Sequence, residues 1–231
     1  MRIYTDAPRM EHFIYTYKLD AVFTDHTSLN MQLREYDKGE IILDEGDALD
    51  GIYLLVEGQA RVSSSVETGK SLVLRFCHPL SLFGDLELIQ HLDVQSLVQA
   101  TETCTLLFID RKTVDTKLMQ DHRFLNEMLR QLAYKLHTCT IASRVNLLTS
   151  VEERLATYLI STRSPGEFGK ELYTRNTSEI AAIIGTTQRH LNRLIQRFEE
   201  DGILFKQKEN LHVLNWERLD EISQGVRYDW Q

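Results

Sequence analysis

The side chains best suited to chemistry lie in one short stretch near the C-terminus. Arginine and amide side chains recur there at spacings that place them together on one face of a helix. No carboxylate interrupts this face before Glu199. Guanidinium and amide groups offer hydrogen bonds that match base edges and phosphate oxygens. The residues are Gln188, Arg189, Asn192, Arg193, Gln196 and Arg197. The pattern therefore predicts a surface that binds double-stranded DNA.

Two short helices joined at a glycine are predicted to carry this surface, within Thr177 to Gly202. Gly185 stands where the first helix must end, because glycine adopts left-handed backbone angles without steric cost. Thr177 or Ser178 is expected to cap the first helix, and Thr187 the second. The apolar face of the second helix consists of Leu191, Leu194, Ile195 and Phe198. These features indicate a helix-turn-helix, and a helical hairpin with a merely solvated basic face is the alternative.

The flanking residues extend this unit to a winged helix-turn-helix. Ser150 and Glu153 have the spacing of a capping box before a helix over Val151–Ser161. Two apolar stretches flank Lys208-Glu209-Asn210 and are interpreted as a two-stranded wing. Candidate phosphate contacts are Thr177, Thr187, Arg197, Lys206 and Lys208.

The charge distribution agrees with one local anion-binding face. The chain has 26 Lys+Arg and 34 Asp+Glu, a formal net charge of -8 at pH 7. Residues 1–149 carry -6 and residues 150–231 carry -2, whereas 175–197 hold four arginines and one glutamate. Positive charge is therefore confined to the part expected to meet phosphate.

Other features of the composition favour a cytoplasmic protein. Cys77, Cys104 and Cys139 lie far apart, show no metal-ligand spacing and fit a reducing compartment. No apolar run reaches the roughly 18 residues of a membrane span. Acids at Asp6 and Glu11 argue against a signal peptide. We expect no metal site and no membrane partner.

The residues from Leu33 to Asp110 are predicted to form short β-strands. Glycine turns such as Glu57-Gly58 and Thr68-Gly69 separate the apolar stretches. These are Ile41–Leu43, Gly51–Glu57, Ala60–Ser65, Leu72–Cys77, Ser96–Ala100 and Thr103–Ile109. Short strands at regular spacing are typical of a sandwich or barrel. The aromatic-rich residues 1–30 are expected to form one or two short helices that pack on it.

One long helix is predicted from Asp121 to Leu148, which lacks proline and glycine. A 4-3-4-3 spacing of apolar residues, typical of a coiled-coil seam, joins Leu125, Leu129, Leu132, Leu136 and Cys139. Phe124, Met128 and Ile141 lie off this seam and are expected to pack on the barrel. The spacing predicts a dimerisation helix, and an ordinary amphipathic core helix is the alternative.

Several motifs resemble the CRP/FNR family of bacterial transcription regulators. The run YDKGEIILDEGDALDGIYLLVEGQARV resembles the family's double-stranded β-helix, with Gly39, Gly46 and Gly58 at its turn positions. FGDLELI, Phe83 to Ile89, resembles the family's ligand-cassette helix, and the helix-turn-helix also matches. The resemblance implies an α+β protein with a jelly-roll barrel of the cyclic-nucleotide-binding type (1–120), a dimerisation helix (121–148) and a winged helix-turn-helix (149–231).

This resemblance also implies a function. Family members read the major groove from the first turns of the recognition helix, a role that falls on Gln188, Arg189, Asn192 and Arg193. Many members have glutamate where this chain has Arg189, so a different operator is expected. The expected protein is a homodimeric transcription regulator on a palindromic operator. Its expected partners are double-stranded DNA, a second copy of the chain and RNA polymerase.

The usual effector chemistry of the family is incomplete here. Cyclic-nucleotide-binding members hold the cyclic phosphate with an arginine after the cassette helix, yet no Lys or Arg occurs between Phe76 and Asp110. The resemblance places a candidate effector pocket at Gly84, Asp85, Leu86, Gln95, Ser96, Cys139 and Thr140. Ordinary cyclic AMP binding is therefore not expected. An iron–sulfur cluster is not expected either, because the N-terminal cysteine cluster of oxygen-sensing members is missing.

Two other classes of function are open alternatives. One is a cyclic-nucleotide-responsive regulator or sensor that uses a non-standard pocket. The other is an enzyme on a cupin-like barrel, which would need clustered His and carboxylate ligands. His78 and His91 lie near turns and lack such spacing, so we expect no enzyme.

Overall fold

The computed structural model describes residues 1–65 and 71–228. The chain divides into two compact units. The first comprises Met1–Ser64 and Cys77–Leu136, and the second comprises Ser65–Phe76 and His137–Gln231. The predicted turn at Thr68-Gly69 lies outside the described residues.

The element order confirms the α+β class. The described strands are β1 (Arg2–Tyr4), β2 (Met31–Tyr36), β3 (Ile41–Leu43), β4 (Gly51–Glu57), β5 (Ala60–Ser65), β6 (Ser71–Cys77), β7 (Leu82–Phe83), β8 (Leu97–Ala100), β9 (Cys104–Asp110), β10 (Leu204–Gln207) and β11 (Asn210–Val213). The described α-helices are α1 (Ala7–Thr16), α2 (Asp85–Gln90), α3 (Arg111–Thr116), α4 (His122–Leu148), α5 (Val151–Ser161), α6 (Glu167–Leu172), α7 (Thr177–Ile183), α8 (Gln188–Glu200) and α9 (Trp216–Ser223). Short 3-10 helices cover Leu19–Ala21, His26–Ser28 and Leu118–Gln120.

The first unit is built on antiparallel sheets. One sheet has the order β1-β2-β9-β4-β7, and β3, β8 and β5 pair in another. Alternate residues of β4 and β9 point to opposite faces. Ile52 and Leu107 enter one apolar cluster, whereas Leu55 and Leu106 enter another. Both faces of these strands are buried, which explains why they read as continuous apolar runs rather than alternating ones.

A glycine turn fixes the connection between β4 and β5. Gly58 has φ +88°, and a Cβ there would lie 2.2 Å from the carbonyl oxygen of Thr103. A side chain at this position therefore has neither a relaxed backbone nor space. Gly39 and Gly46 share the positive φ, so the turns expected at these three glycines are present.

Within the first unit, aromatic residues pack the N-terminal segment and the start of α4 into one apolar cluster. Phe13 and Phe23 are buried, and the rings of Phe23 and Phe124 stack 6.0 Å apart. Met128 enters the same apolar cluster. Ile141 enters the apolar cluster of the second unit, which also contains Val73 and Phe76 of β6. It lies 13 residues beyond Met128, about 20 Å further along the helix.

The second unit has its own core, formed largely by α5, α7 and α8. Leu155, Ile180, Leu191 and Phe198 are between 0 and 2% exposed within it. The buried Tyr158 hydroxyl bonds both backbone groups of Thr174, accepting from the nitrogen at 3.1 Å and donating to the oxygen at 3.2 Å. Burial raises the pKa of Tyr158, so the phenol stays a protonated donor.

Cys77 and Cys104 are buried and Cys139 is exposed, and burial raises the pKa of the Cys104 thiol to about 11. Within the two described ranges, no three His, Cys, Asp or Glu side chains are placed to hold a metal ion. Among these same residues, none of the helices is both long and apolar enough to cross a membrane.

Candidate nucleic-acid interface

Helices α7 and α8 form the expected helix-turn-helix. The side chain of Asn176 caps α7 by accepting a bond from the Ser178 backbone nitrogen at 2.9 Å, so the expected cap at Thr177 or Ser178 was wrong by one or two positions. Gly185 in the turn has φ +64°. Thr187 caps α8, as expected, because its hydroxyl accepts from the backbone nitrogen of His190 at 3.2 Å.

Burial of one face of α8 orients the opposite face outward. The four apolar residues predicted for the inner face are between 0 and 6% exposed: Leu191, Leu194, Ile195 and Phe198. The helical period then turns Arg189, Asn192 and Arg193 to the outside, and all three are exposed. These side chains are therefore free to approach a partner that binds along α8.

Gln188 and Thr177 form a contact between α7 and α8. The half-buried Gln188 donates from Nε2 to the Thr177 hydroxyl at 3.1 Å and to Oδ1 of Asn192 at 2.9 Å. Thr177 is only 7% exposed. Its hydroxyl is thus directed to a neighbouring side chain, although the sequence pattern predicted a phosphate contact.

The carboxylates near this surface have intramolecular partners. Glu179 accepts a bond from the Thr174 hydroxyl at 2.6 Å, and Glu199 accepts one from the Lys206 backbone nitrogen at 2.7 Å. Glu152 on α5 forms an ion pair with Arg197. The ion pair neutralises Glu152, and the two hydrogen bonds orient Glu179 and Glu199.

Strands β10 and β11 form the wing. They pair in antiparallel register, with Gln207 opposite Asn210, and Lys208 in the connecting turn has φ +55°. The rings of Phe205 and His212 stack 4.7 Å apart across the two strands. The exposed Lys206 and Lys208 carry positive charge along this hairpin, where the sequence pattern had placed it.

Arg154 on α5 holds the turn of the helix-turn-helix. Its Nη1 donates to the carbonyl oxygen of Ile184 at 2.7 Å and to that of Gly185 at 3.4 Å. The capping box of Ser150 and Glu153 is present one turn earlier. The sequence pattern did not reveal the role of Arg154, because its partners lie 30 and 31 residues away and are backbone atoms.

Comparisons with known proteins agree with this geometry. A model of the cyclic nucleotide-binding domain matches residues 33–121, and one of the Crp-like helix-turn-helix domain matches residues 153–222. Regulatory protein YeiL of Escherichia coli O157:H7 is 24% identical over 204 residues, which cover 88% of this chain and 90% of that protein. The cyclic AMP receptor protein of Thermus thermophilus is 23% identical over 195 residues, covering 84% of this chain and 89% of that protein.

A solved structure shows the same fold. The c-di-GMP responsive global regulator CLP of Xanthomonas campestris matches with a TM-score of 0.71 and 20% identity, over 91% of this chain and all of that one. The chain belongs to the CRP/FNR family of transcription regulators. It is therefore a transcription regulator with a helix-turn-helix DNA-binding domain. Its matched relatives are regulators, not enzymes.

In this CRP/FNR member, a lysine neutralises the acid of the sensor cassette. Asp85 is buried at the start of α2, and both its carboxylate oxygens accept bonds from Lys135 Nζ of α4, at 2.6 and 2.8 Å. The same ammonium donates to the carbonyl oxygen of Leu82 at 2.8 Å. These three acceptors match the three donors of the ammonium.

The other residues of the predicted effector pocket fall into two groups. Gly84, Leu86, Gln95 and Ser96 lie in the first unit, and Cys139 and Thr140 lie in the second. Gln95 donates from its backbone nitrogen to the buried Glu87 at 3.1 Å and from Nε2 to the carbonyl oxygen of Asp93 at 2.8 Å. Leu86 is 45% exposed. The pocket as a whole stays a prediction.

Arg154→Met should destabilise the second unit, because it leaves the Ile184 carbonyl oxygen without its side-chain donor. We expect the free energy of unfolding in urea, followed by circular dichroism, to fall by about 1–3 kcal/mol. The control is Arg175→Met, at an exposed arginine that contacts only the Tyr173 hydroxyl among the hydrogen bonds seen. It should change the free energy by about 0.5 kcal/mol or less. Equal effects of the two variants would contradict the role given to Arg154.

Proposed function

We propose that the protein binds a palindromic operator as a homodimer, with the exposed face of α8 in the major groove. The observation that carries this proposal is the outward array of Arg189, Asn192 and Arg193 on a helix whose other face is buried. An arginine fork can donate two bonds to guanine, and asparagine or glutamine can do the same with adenine. Gln188 completes the proposed base-reading set.

Phosphate contacts are proposed around this set. Thr187 lies at the N-terminus of α8, where free backbone N–H groups favour anions. Lys206 and Lys208 extend the positive charge along the wing. Arg197 is also a candidate, although a phosphate bound there would replace its ion pair with Glu152. Contacts of this kind set the position of the protein on DNA but carry no sequence information.

Arg193→Ala and Lys208→Asn should weaken DNA binding in different ways. Loss of Arg193 should remove about 1–3 kcal/mol of discrimination at one base pair of each half-site.

Loss of Lys208 should weaken all sequences alike and reduce the slope of log affinity against log salt by about 1. Asparagine is chosen because it tolerates the positive φ of this turn. The measurement is a salt-dependent gel-shift series on single-base operator variants. An Arg193→Ala protein with unchanged base preference would refute the interface.

The exposure of two leucines on the predicted coiled-coil seam of α4, called the stripe below, supports the dimer. Leu129 and Leu136 are seven residues apart, on the same side of a helix, and are 66% and 70% exposed. Cys139 follows on the stripe and is also exposed, whereas Leu125 and Leu132 are partly buried against the first unit. Leucines exposed at heptad spacing are favourable only when a partner covers them. A second copy would place two recognition helices about 34 Å apart.

Leu129→Glu combined with Leu136→Glu should yield a folded monomer, because both side chains are exposed in the single chain. We expect sedimentation velocity to show the monomer. Affinity for the full palindrome should fall by about a hundredfold towards that for a half-site, because the second contact is lost. Tyr15→Glu is the control, at a residue 87% exposed on α1. A double variant that still sediments as a dimer would exclude this seam.

We infer that the sensor barrel does not hold cyclic AMP in the usual way. No Lys or Arg lies between Phe76 and Asp110, so an anionic phosphate there would lack a partner from this segment. Lys135, the cation next to the cassette, already binds Asp85 and the Leu82 carbonyl oxygen. RNA polymerase is the proposed protein partner of the DNA-bound dimer, since the chain is a transcription regulator.

Cyclic AMP at 1 mM should leave the operator affinity unchanged within about twofold, and calorimetry should detect no binding heat. Cyclic GMP and 5′-AMP serve as matched nucleotides. The alternative function, a cyclic-nucleotide-responsive regulator with a non-standard pocket, predicts saturable heat. It also predicts that Asp85→Asn alters this heat, since Asp85 lies at the cassette. A shift of operator affinity larger than tenfold would overturn the inference.

A further inference from the structure

The Thr177 hydroxyl is positioned to contact the recognition helix rather than DNA. It lies at the first residue of α7 and accepts a hydrogen bond from Gln188 Nε2 of α8 at 3.1 Å. With 7% of its surface exposed, it has little room for a phosphate group. This hydroxyl therefore joins the two helices through the side chain of a proposed base-reading residue.

The contact continues to the exposed surface. Gln188 Nε2 also donates to Asn192 Oδ1 at 2.9 Å, four residues further along α8. Thr177 is buried, Gln188 is half-buried and Asn192 is exposed. The three side chains thus form a hydrogen-bonded chain that leads from the interior to the surface expected to meet the bases.

We propose that Thr177 is a positioning residue that sets base preference through Gln188 and Asn192. The proposal rests on the proposed function, since it concerns how α8 reads DNA. A free glutamine side chain has many rotamers, and ordering it on binding costs conformational entropy. The bond to Thr177 orders the Gln188 side chain already in the unbound protein. Because Gln188 uses Nε2 for Thr177 and Asn192 and its Oε1 is buried, the exposed amide of Asn192 is the group that meets the bases in one arrangement.

This role makes a prediction that a purely structural role does not. If Thr177 only stabilised the fold, its loss would weaken every DNA sequence to the same extent. If it positions Asn192 through Gln188, its loss should affect the base pair that Asn192 reads and spare the one read by Arg193. Thr177→Val removes the hydroxyl at nearly constant shape, and Thr177→Ser keeps it as the matched control.

The experiment begins with duplexes selected from a randomised pool by the wild-type protein. Affinities of wild type, Thr177→Val and Thr177→Ser are then measured on all single-base variants of the selected site. We expect Thr177→Val to lose roughly three- to tenfold of discrimination at the positions that Gln188→Ala also affects. Thr177→Ser should retain the wild-type preference, and discrimination at the base pair sensitive to Arg193→Ala should not change.

A double-mutant cycle completes the test. In a Gln188→Ala background, Thr177→Val should have no further effect on base preference, because the hydroxyl acts through that glutamine. Uniform weakening on all sequences, or effects that add to those of Gln188→Ala, would overturn the proposal. If Thr177→Val fails to fold by circular dichroism, Thr177→Ala removes the same hydroxyl without added bulk. A wild-type protein that selects no consensus would refute the proposed function instead.

Discussion

The DNA-binding unit depends on the burial of one face of α8. Leu191 and Phe198 are fully buried there, and burial of each such side chain contributes about 1.5–3 kcal/mol. The period of the helix then leaves Arg189 and Arg193 no orientation except outward. Arg154 fixes the turn before α8 by donating to the backbone carbonyl groups of Ile184 and Gly185. The direction of the polar side chains is therefore a consequence of core packing and does not need a separate interaction for each of them.

Charge is distributed so that an acidic protein still presents a positive surface. The net charge of -8 belongs mostly to the first 149 residues, whereas the recognition region carries an arginine excess. The nearby acids Glu152, Glu179 and Glu199 are engaged with a guanidinium, a hydroxyl and a backbone amide. The ion pair with Arg197 neutralises Glu152. Attraction to DNA is therefore local and depends on salt, and the rest of the chain limits non-specific association.

A buried ion pair holds the start of α2 in the first unit. A buried carboxylate needs a cation or several donors, and Asp85 obtains the ammonium of Lys135. Because Lys135 lies on α4, this ion pair joins the cassette helix α2 to the helix that carries the proposed dimer stripe. An anionic ligand that entered near Asp85 would have to compete with this carboxylate for the ammonium of Lys135, which makes the site unlike an open anion pocket.

Local signals in the sequence, namely periodicity, caps and turn glycines, predicted the winged helix-turn-helix, the long helix and most strands of the barrel. Thr187 and Gly185 are clear examples. Strand β2 was not among the predicted strands. Short elements such as β1, β7 and α6 have too few residues to show the hydrophobic period of a strand or helix, so they were not predicted. The partners of two charged side chains could not be predicted in this way: Arg154 holds a turn 30 residues away, and Lys135 neutralises an acid 50 residues away. A local pattern shows which face of an element is buried, but the partner of a polar side chain depends on how distant segments meet.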